Sequence, residues 1–149
     1  MSDPATQVHG TCVGIDGIGV LLTGPSGSGK SDLALRLIDQ GADLVADDRV
    51  DLSVEGDKLV ARAPAILCGL LEVRNVGILE FPYIKSIAVQ AVVDLAPSRP
   101  RERLPADEWI DLAGISLPCF RLDSRSAAAP VKVRLVTGLV SGSIVRTDD

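Results

Sequence analysis

Eight consecutive residues, Gly24-Pro25-Ser26-Gly27-Ser28-Gly29-Lys30-Ser31, carry the densest chemical signal in the chain. They satisfy G-x-x-x-x-G-K-[ST] at every position, the pattern of a phosphate-binding loop. Glycines at 24, 27 and 29 let the backbone take positive φ and come close to a ligand. Successive N–H groups, and the positive end of a following helix, would then face an anion. In that arrangement Lys30 reaches the β- and γ-phosphates of a nucleotide and the Ser31 hydroxyl ligates magnesium. A glycine-rich turn that binds nothing has no use for lysine and serine in those slots. The second feature is Asp47-Asp48. Carboxylates at the end of an apolar strand can hold a metal ion or take the proton of an attacking hydroxyl. Asp47 follows Lys30 by only 17 positions. An ordinary Walker B aspartate lies much further along, so a standard NTPase arrangement is not expected.

These groups can act together only if the chain brings them to one place. Ile18–Thr23 is an apolar run of strand length, and Asp32–Asp39 has apolar residues at helical spacing, ending near Gly41 as a C-cap. Asp43–Ala46 is a short buried strand. Strand, helix, strand predicts a βαβ unit with neighbouring parallel strands, whose ends open on the sheet edge where ligands bind. Val8–Gly17 reads as one strand closed by an Asp16-Gly17 turn. Further on, the patterns predict a hairpin (Val50–Val54 and Lys58–Arg62), a turn with a short helix within Ala63–Leu71, and a strand over Ser86–Leu95. A loop over Pro97–Pro105, one or two strands within Trp109–Leu122 around Gly114, and a closing helix over Ala127–Val140 complete the chain. Pro130 falls in the first turn of that helix, where proline is tolerated.

The length of 149 residues argues for a single domain with a real core, preceded by a polar, loose stretch at residues 1–7. Hydrophobic residues make up 46% and aromatics 3%, so the core is aliphatic. A net charge of −5 disfavours nucleic acid as a partner. No apolar run is long enough to span a membrane, and Met1-Ser2-Asp3-Pro4 does not resemble a signal peptide. Cys12, Cys68 and Cys119 lack metal-type spacing and are expected to be buried free thiols in a reducing cytoplasm.

Val8-His9-Gly10, the glycine loop, Leu44-Val45-Ala46-Asp47-Asp48, Ala63-Pro64, Leu71-Glu72-Val73-Arg74 and Glu102-Arg103-Leu104 occur in an order that resembles the catalytic domain of HPr kinase/phosphorylase. The likeness covers most of the chain and matches a short form without the usual N-terminal domain. It implies an α/β fold: a P-loop-containing, open, mostly β sheet with flanking helices, of the HPr kinase/PEP carboxykinase type. It also implies a magnesium- and ATP-dependent kinase that phosphorylates a seryl residue of HPr, a small phosphocarrier protein, and that removes the phosphate by phosphorolysis. By the same resemblance His9 stands beside the phosphate site, Lys30 binds phosphate, and Ser31 and Glu72 hold magnesium. Asp47 or Asp48 is the general base, and Arg103 neutralises charge on the transferred group. Hexamers and a cytoplasmic location are implied as well.

Three departures qualify the likeness. Asn75 replaces a usual glycine, so its turn is expected to differ. The region 80–85 is short. The segment 117–125 is short and lacks a lysine/arginine-glycine-arginine pattern, which favours kinase over phosphorylase activity. A small-molecule P-loop kinase and a nucleotide-sensing regulatory module are the competing readings. A GTPase fits least: Asp111-Leu112-Ala113-Gly114 matches D-x-x-G, but the chain has no N-K-x-D motif.

Overall fold

The structure, a computed structural model, describes residues 6–96 and 108–147. In chain order the elements are β1 (Thr6–His9), β2 (Thr11–Ile15), β3 (Ile18–Thr23), α1 (Lys30–Asp39), β4 (Asp43–Ala46), β5 (Arg49–Glu55) and β6 (Lys58–Arg62). A 3-10 turn at Ala65–Leu67 follows, then β7 (Leu70–Val73), β8 (Gly77–Glu80), β9 (Ile87–Asp94), β10 (Glu108–Leu112), β11 (Ile115–Arg121) and α2 (Ala129–Ser141). The expected hairpins, helices and late strand are therefore present, and the fold is mixed α/β.

Among the described residues nine strands form one mixed sheet, in the order β1-β5-β6-β9-β3-β2-β4, with the β10–β11 hairpin branching from β9. β9 runs parallel to β3 and to β11; its pairing with β6 is antiparallel. β3 sits in the middle, and Val20, Leu21 and Leu22 are completely buried, which a strand covered on both faces requires. One face packs Val20 and Leu22 against Leu33 and Leu37 of α1 and Val133 and Val136 of α2. The other face packs Leu21 against Val50, Leu52, Leu59, Val92 and Leu117, all from strands of the same sheet. Among the described residues no helix contributes to that core, and the sheet covers its own apolar face by curling.

Two expectations about the strands need correction. β4 is not the neighbour of β3, because β2 lies between them, antiparallel to both. β3 and β4 still run in the same direction and end at the same edge. The reason is local: Asp16 (φ 51°) and Gly17 (φ 80°) form a tight two-residue turn that zips β2 onto β3. The second correction concerns Val8–Gly17, which is two strands. β1 pairs with β5, and β2 pairs with β3 and β4. The break falls at Gly10, where a Cβ would stand 2.9 Å from the Leu22 carbonyl oxygen. Gly10→Ala is expected to destabilise the fold by about 1–3 kcal/mol, since backbone cannot yield as a side chain can. Urea unfolding of the two chains checks this, and equal midpoints would refute it.

Smaller differences follow the same pattern. β1 begins at Thr6, inside the stretch expected to be loose, and Gln7 donates to Asp51 Oδ1 at 2.9 Å. Of the cysteines only Cys12 is buried, and burial pushes its thiol pKa up to about 12; Cys68 and Cys119 are partly exposed. β7 and β8 form a separate hairpin that the patterns did not foresee, anchored by the fully buried Leu71. Asn75 in its turn takes a left-handed backbone (φ 69°), a conformation asparagine shares with glycine more readily than most residues do.

Candidate active site

The glycine loop leaves the C-terminal end of β3 and opens α1. Gly24, Gly27 and Gly29 have φ of 145°, 84° and 94°, so the three glycines stand where the loop turns left-handed. Gly29 is the N-cap and offers no side chain to the helix. The first intrahelical bond runs from Leu33 N–H to the Gly29 carbonyl at 2.9 Å. The N–H groups of Lys30, Ser31 and Asp32 precede it and have no carbonyl of their own helix to bond. Together with the helix dipole they make this end of α1 suited to an anion. Lys30 is 7% exposed and its Nζ donates to the carbonyls of Gly24 (2.7 Å) and Pro25 (3.0 Å), which holds the ammonium over its own loop. Burial lowers the Lys30 pKa below its ordinary value, and the charges of Asp47 and Asp48 oppose that shift.

Asp47, 5% exposed, is the hub of the site. Its Oδ1 accepts from the Ser31 hydroxyl at 2.7 Å and from the Thr11 hydroxyl at 2.8 Å, and its Oδ2 accepts from the Glu72 N–H at 3.2 Å. One carboxylate thus ties together the loop helix, β2 and the β7–β8 hairpin. Asp48 differs in every respect. It is exposed, its backbone is left-handed (φ 70°), and its Oδ1 lies 3.2 Å from Nε2 of His9. The Asp48 carbonyl accepts from the Gly10 N–H at 3.2 Å, so the break between β1 and β2 is what brings His9 to this rim. Glu72 is exposed on β7.

Of the residues singled out by sequence, His9, Lys30, Ser31, Asp47 and Asp48 converge, and Glu72 joins them through its backbone. Arg103, like Arg99 and Arg101, lies outside the described residues. Sequence reasoning missed Thr11, a fully buried hydroxyl at the start of β2, whose signal in the sequence is a hydroxyl residue in an otherwise apolar run. It also missed Ser124, whose hydroxyl donates to the Ser28 carbonyl at 2.5 Å across 96 positions. No pattern in the sequence points to that contact. Among the described residues no group of three or more His, Cys, Asp or Glu side chains is placed to hold a metal ion, and no helix is long and apolar enough to cross a membrane.

The family model described as the HPr Serine kinase C-terminal domain matches residues 2–96. The chain belongs to this family. The HPr kinase/phosphorylase of Cupriavidus necator is 38% identical to it across 98% of this chain and 48% of that protein. The HPr kinase/phosphorylase of Clostridium tetani is 45% identical across 62% of this chain and 30% of that protein. The chain therefore spans about half the length of the first relative and less of the second. Among solved structures, that of the Hpr(Ser) kinase/phosphatase from Coxiella burnetii superposes with a TM-score of 0.79 at 27% identity, covering 89% of this chain and 93% of that one. As an HPr kinase domain the chain has the expected mixed α/β fold, and its large curled sheet is the one this likeness reports.

Proposed function

We propose that this domain is a magnesium- and ATP-dependent protein serine kinase that phosphorylates a seryl residue of an HPr-type phosphocarrier protein. The observation that carries the reading is the convergence of the glycine loop, Lys30 and the two aspartates on one rim of the sheet, with Asp47 bonded directly to Ser31. The loop amides and Lys30 bind and orient the triphosphate, with Lys30 at its terminal groups.

The two aspartates divide the remaining work. Asp47 is sealed from solvent, and three donors already occupy its oxygens. It serves as the anchor that orients Ser31. Asp48 is exposed, where the hydroxyl of a folded protein can reach it, so it is the general base, held by His9. In phosphorolysis the same carboxyl acts as the acid.

The residues present suit magnesium. Ser31 Oγ donates its hydrogen bond to Asp47 and keeps its lone pairs for a cation, Glu72 adds a carboxylate nearby, and both offer hard oxygen ligands. Ser31 and Glu72 would hold the ion, which supplies charge neutralisation on the phosphates. Arg103 is part of the same proposal, as the group that offsets charge on the phosphoryl in flight, in its own site or that of a neighbouring subunit. A cytoplasmic homo-oligomer, hexameric by family likeness, is also part of it.

The test is incubation with HPr and labelled ATP. Label is expected on HPr with the parent chain and not with an Asp47→Ala/Asp48→Ala double variant. Label that survives in the double variant would overturn the mechanism. Turnover of a small-molecule acceptor without HPr would replace the substrate class, and tight ATP binding without transfer would leave a sensing module.

A further inference from the structure

The segment between β11 and α2, residues 122–128, rests against the glycine loop. Ser124 is 4% exposed, and its hydroxyl is bonded to the Ser28 carbonyl. Its own carbonyl accepts from Nη2 of Arg36, and Nη1 of the same guanidinium donates to the Ser126 carbonyl at 3.4 Å. Arg36 belongs to α1 and pairs with Asp32 one turn earlier at 3.1 Å. The helix that the loop opens thus holds the segment, and the segment holds the loop. The fit is close: a Cβ on Gly29 would stand 2.5 Å from Ser124 Oγ.

The contact has a direct consequence for the loop amides. In a trans peptide the C=O and N–H point in opposite directions. The Ser28 carbonyl and the Gly29 N–H belong to one peptide unit. Drawing the carbonyl toward Ser124 turns the Gly29 N–H to the other side of the loop, away from this segment. That peptide adjoins Gly29, and glycine permits either orientation at little cost. A tether from outside the loop is therefore needed to favour one of them.

We infer that Ser124 is a positioning residue for anion binding: its hydroxyl holds the Ser28–Gly29 peptide in the orientation that leaves the Gly29 N–H available to a phosphate. The inference rests on the nucleotide-binding reading above and adds a role to a segment that reading leaves unused. Without the tether only a fraction of molecules has the binding-competent loop, and the apparent affinity falls by that fraction while bound complexes react normally.

The experiment compares the full chain with Ser124→Ala and Ser124→Thr. The probes are magnesium-ATP and inorganic pyrophosphate, titrated by calorimetry, with amide exchange at Ser28 and Gly29 followed by NMR and melting temperature as the fold control. Ser124→Ala is expected to weaken both ligands about five- to tenfold, the worth of one lost hydrogen bond. Exchange at the Ser28 amide, which is bonded to the Pro25 carbonyl at 3.0 Å, should speed up in the ligand-free chain, and the Gly29 amide should change chemical shift. Where transfer to HPr is measured, kcat at saturating ATP should stay within about twofold of the parent. Ser124→Thr, which keeps the hydroxyl, should recover most of the affinity if its melting temperature matches the parent. Binding by Ser124→Ala within twofold of the parent overturns the inference, as does a kcat that falls as far as affinity does. A parent chain that binds neither probe sinks the nucleotide reading itself, which is a different result from a parent and variant that bind alike.

Discussion

Replacing Lys30 with methionine is expected to cut phosphoryl transfer to HPr by about a hundred- to a thousandfold, the scale seen when one preorganised donor to a developing charge is removed. Methionine is close in length and fills the same space, but it gives up the cation and its bonds to the Gly24 and Pro25 carbonyls. Stability should move the other way. Burial holds the Lys30 pKa below its ordinary value, with the Asp47 and Asp48 charges only partly offsetting it, so the folded chain binds the proton less tightly than the unfolded one. A charged Lys30 therefore costs stability at neutral pH, and that cost fades as pH rises through the lowered folded value toward the ordinary lysine value of the unfolded chain. Lys30→Met should melt no lower than the parent at neutral pH, and its advantage should shrink in alkaline buffer. Single-turnover transfer and thermal melts measured across pH read both effects. Transfer within tenfold of the parent would refute the role of Lys30.

Asp48→Asn is the companion result. Asparagine keeps the size and a hydrogen-bonding oxygen for His9 but cannot take a proton. A loss of about a hundred- to ten-thousandfold in kcat is expected, the usual worth of a positioned general base. ATP affinity should hardly change, because Asp48 is exposed and bonds none of the loop residues directly. Asp47→Asn should behave differently. It puts an N–H₂ among the Ser31, Thr11 and Glu72 donors, so it should lower stability by about 1–3 kcal/mol and raise the magnesium needed for activity. Steady-state kinetics with ATP, magnesium titrations and urea unfolding separate the two. If Asp47→Asn spared stability and Asp48→Asn spared kcat, the assignment of anchor and base would fail.

The motif residues were legible in the sequence because their chemistry is local. Three glycines, a lysine and a serine at fixed spacing name a loop, and the apolar runs on each side name its strand and helix. α1 and β4 fall where the periodicity places them, and the Asp16-Gly17 turn follows from residue type alone. The β7–β8 hairpin was hidden because its turn rests on an asparagine in a left-handed conformation where a glycine would have signalled it. The break of Val8–Gly17 was hidden too: nothing in the alternation of that run shows that the Leu22 carbonyl crowds Gly10.

The sequence by itself determined which chemical groups this domain owns and that loop, helix and carboxylate pair share one strand–helix–strand unit, since spacing and periodicity act within a few residues. Only the tertiary structure decided that β2 separates the two strands, that His9 meets Asp48, that Asp47 takes the buried place and Asp48 the exposed one, and that Ser124 reaches Ser28. Each of those depends on sheet order and on contacts between residues far apart in the chain, where the competition between backbone pairing and side-chain burial is settled by the whole core at once.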